Sequence, residues 1–226
     1  MKKGILICFI GIDGAGKTTI ARRLNENLKE ERVNSQYLYG RVIPIVSRFL
    51  MWVGRKILLK RRKEDIFLNY DDYNTQKKEI FKNKFISKIY EWSILFDQVI
   101  QIDFKIIPRL VVGKVVICDR YVFDTVVTDI AVDLNYSNND IIDLIDKLFH
   151  IIPKPDITFL IDIPEEIAYH RKNDIPHLSY LSERRKLYLV MGKFLRLILL
   201  EGSKSIDELS KEAYENIRHL LWRYDG

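Results

Sequence analysis

The chain has 226 residues, 47% of them apolar and 30% charged, which describes a soluble globular protein long enough to bury a sizeable core. A net charge of +6 points first to nucleic acid, but the excess is local. Arg41, Arg48, Arg55, Lys56, Lys60, Arg61, Arg62 and Lys63 follow one another without an acid, and removing those eight from the 37 basic residues leaves 29 against 31 acids.

No apolar run is long enough to span a bilayer. The start, Met1-Lys2-Lys3 followed by an apolar stretch, has the look of a signal peptide, yet it runs into a phosphate-binding pattern and reads better as a strand. Cys8 and Cys118 lie in β-like runs, as reduced core residues of a cytoplasmic protein would. The four histidines lack zinc-ligand spacing, so no structural metal is expected.

Ile5 to Ile10 is a continuous apolar run, the pattern of a strand buried on both faces. Directly after it comes Gly11-x-x-x-x-Gly16-Lys17-Thr18, a P-loop, and then a helical pattern to about Glu30. In such a loop the backbone of Gly11, Asp13, Gly14, Ala15, Gly16 and Thr19 curls around a phosphate chain. Lys17 reaches the β- and γ-phosphates, and the Thr18 hydroxyl holds Mg²⁺. A nucleoside triphosphate ligand is expected.

Val33 to Tyr39 reads as a second strand. From Pro44 to Pro108 only helical periodicity is present: first Phe49, Leu50, Val53, Ile57 and Leu58, then a long pattern from about Tyr73 to Ile107. Val115 to Cys118 is the third strand and ends in Asp119-Arg120-Tyr121. Helices are expected over Tyr121 to Leu134 and, after a Ser137 cap, over Asn138 to Phe149. Ile157 to Ile161 is a fourth strand. A helix starting at Pro164-Glu165-Glu166 runs to about Lys172, a polar link covers Asn173 to His177, and another helix covers Tyr180 to Gly192. A fifth strand at Leu195 to Leu200 and a helix ending near Trp222 complete the chain. This order predicts a single α/β domain over 1–226 with a five-stranded parallel sheet and right-handed crossovers.

With Asp119-Arg120-Tyr121 in place, the chain resembles the thymidylate kinase family of P-loop nucleoside monophosphate kinases. The blocks that carry the resemblance are Gly-Ile-Asp13-Gly-Ala-Gly-Lys-Thr-Thr, Val-Val-Ile-Cys-Asp119-Arg120-Tyr121, and Pro155-Asp156-Ile-Thr-Phe-Leu-Ile-Asp162-Ile-Pro164-Glu165-Glu166 followed by Arg171. The last is Leu200-Glu201-Gly202-Ser203-Lys204-Ser205. The resemblance implies strand order 2-3-1-4-5, a helical acceptor-side region over 41–108 and a short lid over about 171–185. It also implies Mg²⁺-dependent transfer of the ATP γ-phosphoryl group to a nucleoside monophosphate, with thymidylate (dTMP) as the acceptor.

On that basis Lys17, Asp13, Arg120 and a lid arginine are the catalytic candidates. Arg171 comes first for the lid and Arg185 second, with Arg184 beside it. Thr18 and Asp119 would hold the metal. Arg171, Ser203 and Lys204 would join the P-loop around ATP, and Asp13, Arg41, Gln98, Arg120 and Asp124 would face the acceptor. Each has a plainer rival: Asp119 as a helix cap, Asp13 stabilising its own turn, the lid arginines as a solvated charge run. Asp162 reads as structural.

The acceptor half departs from the family. Asp124 stands where a serine is usual, Val127-Thr128-Asp129 replaces Ala-Tyr-Gln, Gln98 replaces an arginine, and the lid is short. Another phosphorylated or hydroxyl acceptor is therefore the runner-up. A nucleotide-switched binding module with a basic membrane or nucleic-acid arm at 41–63 is a third reading. Dimerisation is the family's habit, which the long helices would either form or block.

Overall fold

Five strands, β1 (Ile5–Ile10), β2 (Ser35–Tyr39), β3 (Val115–Asp119), β4 (Ile157–Asp162) and β5 (Ile198–Glu201), form one sheet in the order β2-β3-β1-β4-β5. All four neighbouring pairs are parallel. The computed structural model describes residues 4–58, 77–172, 175 and 177–225, with side chains at 4–52, 77–172, 175 and 177–222. The central strands β1 and β3 are buried at every position, as their unbroken apolar runs require when helices cover both faces. Phe9 and Phe159 stack at 5.0 Å between neighbouring strands.

This topology sets two loops side by side. Phe9 lies opposite Asp119 in the β1–β3 register, and the Arg120 amide donates to the Phe9 carbonyl at 2.9 Å. The carboxyl ends of β1 and β3 therefore deliver the P-loop and the Asp119-Arg120-Tyr121 segment to one crevice, where open α/β sheets bind ligands.

The helices are α1 (Lys17–Glu30), α2 (Val46–Leu58), a helical stretch at 77–81, α3 (Lys84–Lys105), α4 (Ile107–Val111) and α5 (Val122–Thr125). A π-helical segment at Val126–Ala131 follows. Then come α6 (Val132–Leu134), α7 (Asn138–Phe149), α8 (Glu165–His170), α9 (Leu178–Phe194) and α10 (Ile206–Asp225). In α1, Ile20, Ala21, Leu24 and Leu28 are buried at helical spacing against the sheet. No helix among the described residues is long and apolar enough to cross a membrane.

Three expectations about elements change. The long helix expected from Tyr73 is interrupted, because Asn83 accepts the Phe85 and Ile86 amides at 3.0 and 3.3 Å and so caps a new helix. Residues 73–76 lie outside the described residues. The fifth strand starts later than Leu195, since α9 continues past Gly192 and its end is closed by the Leu197 amide on the Gly192 carbonyl at 2.9 Å. The expected helix after Tyr121 widens into a π turn at Val126–Ala131, a feature often found where a helix aims side chains at a site. Residues 59–63 of the basic segment, and 173, 174 and 176 of the expected lid, lie outside the described residues.

Candidate active site

The P-loop is shaped by close backbone approach. Gly14 sits at φ 84°, and a Cβ there would lie 2.4 Å from the Ala168 carbonyl oxygen, so only glycine fits. Gly16 at φ 90° opens α1 without any side-chain cap, leaving the first-turn amides facing the crevice. Lys17 is only 4% exposed and folds over the loop, donating to the Gly11 and Ile12 carbonyls at 2.8 and 2.6 Å. Burial, reinforced by the Arg120 charge, pulls its ammonium down to about 8.

Beneath the loop, the Thr18 hydroxyl donates to Asp119 Oδ2 at 2.5 Å, and the Tyr37 hydroxyl donates to the same oxygen at 3.0 Å. Burial and the neighbouring carboxylate push the Tyr37 phenol up to about 12. Asp119 Oδ1 is buried and has no hydrogen-bond partner among the described residues. A buried carboxylate oxygen left open beside a hydroxyl is a hard-oxygen position that suits a cation. Among the described residues no three His, Cys, Asp or Glu side chains cluster. The donors present therefore fit Mg²⁺ held mostly by water and phosphate better than an all-protein cage.

Arg120 takes a left-handed backbone, φ 73°, uncommon outside glycine. Its guanidinium bridges two carboxylates, donating through Nη1 to Asp124 at 3.0 Å and through Nη2 to Asp13. Burial raises the Asp13 carboxyl, but Arg120, Lys17, Arg41 and Lys172 outweigh it and bring it to about 2. The chain crosses Arg120 closely at Gly40, where a Cβ would come within 2.2 Å of the Arg120 carbonyl oxygen.

A cavity of about 470 Å³ opens over the loop. Of the sequence-derived candidates, Asp13, Gly14, Ala15, Gly16, Lys17, Thr18, Thr19, Arg120, Arg171 and Lys204 line it. Gly11 contributes its carbonyl to Lys17, and Asp119 lies just below Thr18. Among the described residues Arg171 reaches the Gly202 carbonyl, at 3.4 and 3.5 Å. Ser203 does not line the cavity and donates instead to Glu201 at 2.8 Å.

Other candidates lie elsewhere. Arg185 is turned away, forked onto Asp162 at 2.7 and 3.0 Å and bonded to Glu165 at 2.7 Å, so all three of its nitrogens already donate to carboxylates. Arg184 stacks on Tyr180 at 3.6 Å and donates to the Thr128 carbonyl at 3.2 Å. Gln98 is buried, its amide donating to the Gly40 carbonyl at 3.2 Å and accepting from Thr125 at 2.8 Å. Asp124 is wholly buried and also misses the cavity; burial raises its carboxyl while Arg120 opposes that rise. Gln98 and Asp124, both expected to face the acceptor, are held in internal hydrogen bonds and lie outside the lining of the cavity over the P-loop. Arg41 pairs with Asp129 at 3.3 Å beside the π-helical segment.

Several residues at the site escaped the sequence reading. Tyr37 and Tyr188 enter through contacts between distant segments, and Lys172 through its place in the lining. Only Tyr37 had a usable signal, since alternation along β2 puts it on one face with Ser35 and Tyr39.

Known proteins similar to this chain share one family description. A family model described as thymidylate kinase matches residues 77–213, more than half of the chain. A probable thymidylate kinase of Archaeoglobus fulgidus is 30% identical over 224 residues, covering 96% of each chain. A probable thymidylate kinase of Pyrococcus abyssi is 25% identical, covering 97% of this chain and 98% of its own. A thymidylate kinase of Leptospira borgpetersenii is 26% identical over 221 residues, covering 95% and 94%.

Proposed function

The chain belongs to the thymidylate kinase family, a family of phosphotransferases, and from that footing we propose that it transfers the γ-phosphoryl group of ATP to thymidine monophosphate. The observation that carries the reading is the Asp13–Arg120 contact, which couples the donor loop to the acceptor side of one crevice. An oxygen of the acceptor phosphate attacks the γ-phosphorus while the bond to the β,γ-bridging oxygen breaks. The electron pair stays on ADP, and the product is the nucleoside diphosphate.

With no covalent intermediate to form, the site must position two anions and neutralise moving charge. The loop amides and Lys17 bind the donor phosphates, Lys17 exchanging its two carbonyl partners for phosphate oxygens. Thr18 and Asp119 would hold Mg²⁺, which would neutralise charge on the donor phosphates. Arg120 binds the acceptor phosphate. Arg171, only loosely held, covers the transferring group from the α8 side. Lys204 and the Gly202 turn bound the far end of the cavity, where the nucleoside of ATP lies. Arg41, fixed by Asp129, contributes positive charge at the acceptor mouth.

A second acceptor class is favoured by one observation. Gln98 is locked into internal bonds and Asp129 faces Arg41, so the groups around the acceptor base differ from those the family resemblance implies. We propose further that two copies pair through α3, which presents Phe85, Ile89, Trp92 and Phe96 outward at helical spacing.

The test is an ADP-formation assay with thymidine, thymidine monophosphate and the other nucleoside monophosphates. Acceptor-dependent turnover, greatest with thymidine monophosphate and abolished in Lys17→Ala, is expected. Acceptor-independent hydrolysis would overturn the kinase reading, and turnover with another monophosphate alone would replace the acceptor.

A further inference from the structure

Asp124 is wholly buried, yet three groups converge on its carboxylate. Oδ1 accepts from Arg120 Nη1 at 3.0 Å and from the Tyr188 hydroxyl at 2.7 Å, and Oδ2 accepts from the Tyr121 amide at 3.2 Å. The carboxylate thereby ties the end of β3, the start of α5 and the middle of α9 to one guanidinium.

The two carboxylates on Arg120 differ in kind. Asp13 lines the cavity, keeps 15% of its side chain exposed and has Lys172 4.0 Å away as a second cation. An anion entering the cavity meets Arg120 on this edge and competes directly with Asp13. Asp124 lies outside the cavity lining with no exposed surface, so nothing that enters can displace it. A charge is needed here because the Arg120 guanidinium is buried, and a buried cation is costly without an anionic partner. A neutral hydroxyl at position 124 could offer the guanidinium only an uncharged and weaker bond.

We propose that Asp124 is a positioning residue for the acceptor half of the reaction. It holds one edge of Arg120 fixed while the other edge exchanges Asp13 for the acceptor phosphate, and Tyr188 keeps Asp124 in register with α9. The inference rests on the phosphoryl-transfer reading above, with Arg120 as the acceptor-phosphate ligand.

The experiment is a double-mutant cycle on phosphoryl transfer from radiolabelled ATP, so that low rates are still read. Asp124→Asn, which keeps the volume and removes the charge, should raise the acceptor KM about tenfold or more while the ATP KM stays within about twofold. In an Arg120→Lys background, where the fork is already lost, the same substitution should change kcat/KM by less than about twofold. Equal losses in both backgrounds, or an unchanged acceptor KM in Asp124→Asn, overturn the proposal. Should Asp124→Asn not fold, Tyr188→Phe serves. It leaves the carboxylate but frees it from α9, and an acceptor KM raised several-fold at constant ATP KM is expected; an unchanged acceptor KM overturns the proposal. A wild-type protein without acceptor-dependent turnover would instead sink the kinase reading itself.

Discussion

A guanidinium can follow a moving phosphoryl group only if its resting partners release it. Arg185 gives up three charge-assisted bonds, to Asp162 and Glu165, before it can swing into the cleft, whereas Arg171 gives up two long contacts to one carbonyl. Arg171→Ala should therefore lower kcat by roughly a hundredfold or more with little change in melting temperature. Arg185→Ala should keep kcat within about threefold and cost about 1 kcal/mol of stability, reduced by the partial exposure of the pair. Steady-state kinetics and thermal melts on the two variants decide this, and the reverse pattern would exchange their roles. In the sequence both arginines look alike, cations flanking a polar link. Asp162 and Glu165 separate them, and that pairing exists only once β4 and α9 are packed.

Whole elements depend on similarly distant caps. The first turn of α2 has no acid of its own, and Asp97 on α3 takes that place. Its carboxylate accepts the Ile45, Val46 and Ser47 amides at 2.9, 3.0 and 2.9 Å and the Ser47 hydroxyl at 2.6 Å. Burial raises this carboxyl, but the bonds from Ser47, Val46 and Ile45 prevail and hold it below its ordinary value. A folded value below the unfolded one means that Asp97 stabilises the native state fully above the unfolded carboxyl value, about 3.9. That contribution is lost as pH falls through the lower folded value. Asp97→Asn should cost about 2 kcal/mol at neutral pH, and the gap to wild type should close in acid. Denaturant melts at pH 7 and at about pH 2 would show it; a constant gap would mean that Asp97 acts through packing alone. The π turn after Thr125 belongs to this scale too, since the helical pattern from Tyr121 contained nothing that marks the extra residue.

At the scale of the molecule, charge and apolar surface divide the acceptor side. Arg41 is satisfied by Asp129 and Arg48 is exposed on α2, so the basic run is not one uniform patch even where its side chains are described. On α3, Phe85 and Trp92 are 74% and 68% exposed, with Ile89 and Phe96 between and beyond them. A contiguous apolar row of this kind is uncommon on a monomer surface, and a twofold axis across one helix would bury it twice over. Light scattering on the purified protein should give twice the chain mass, and Trp92→Glu with Phe96→Glu should give the chain mass with the fold intact by circular dichroism. A wild-type monomer would overturn the pairing.

How much was legible follows from how local each determinant is. The glycines, Lys17 and Thr18 of the P-loop are fixed by neighbours within a few residues, and the central strands by unbroken apolar runs, so the donor loop, the parallel sheet and the family resemblance can be read without a structure. Asp119 and Arg120 were legible because they end such a strand. Packing between elements is what turns Asp124 and Gln98 inward, occupies Arg185 while Arg171 stays loosely held, and brings Asp97 to cap α2. Those outcomes rest on contacts between side chains tens of residues apart, where a guanidinium, amide or carboxylate has several geometrically suitable partners. Only the packed register leaves one of them within hydrogen-bonding distance.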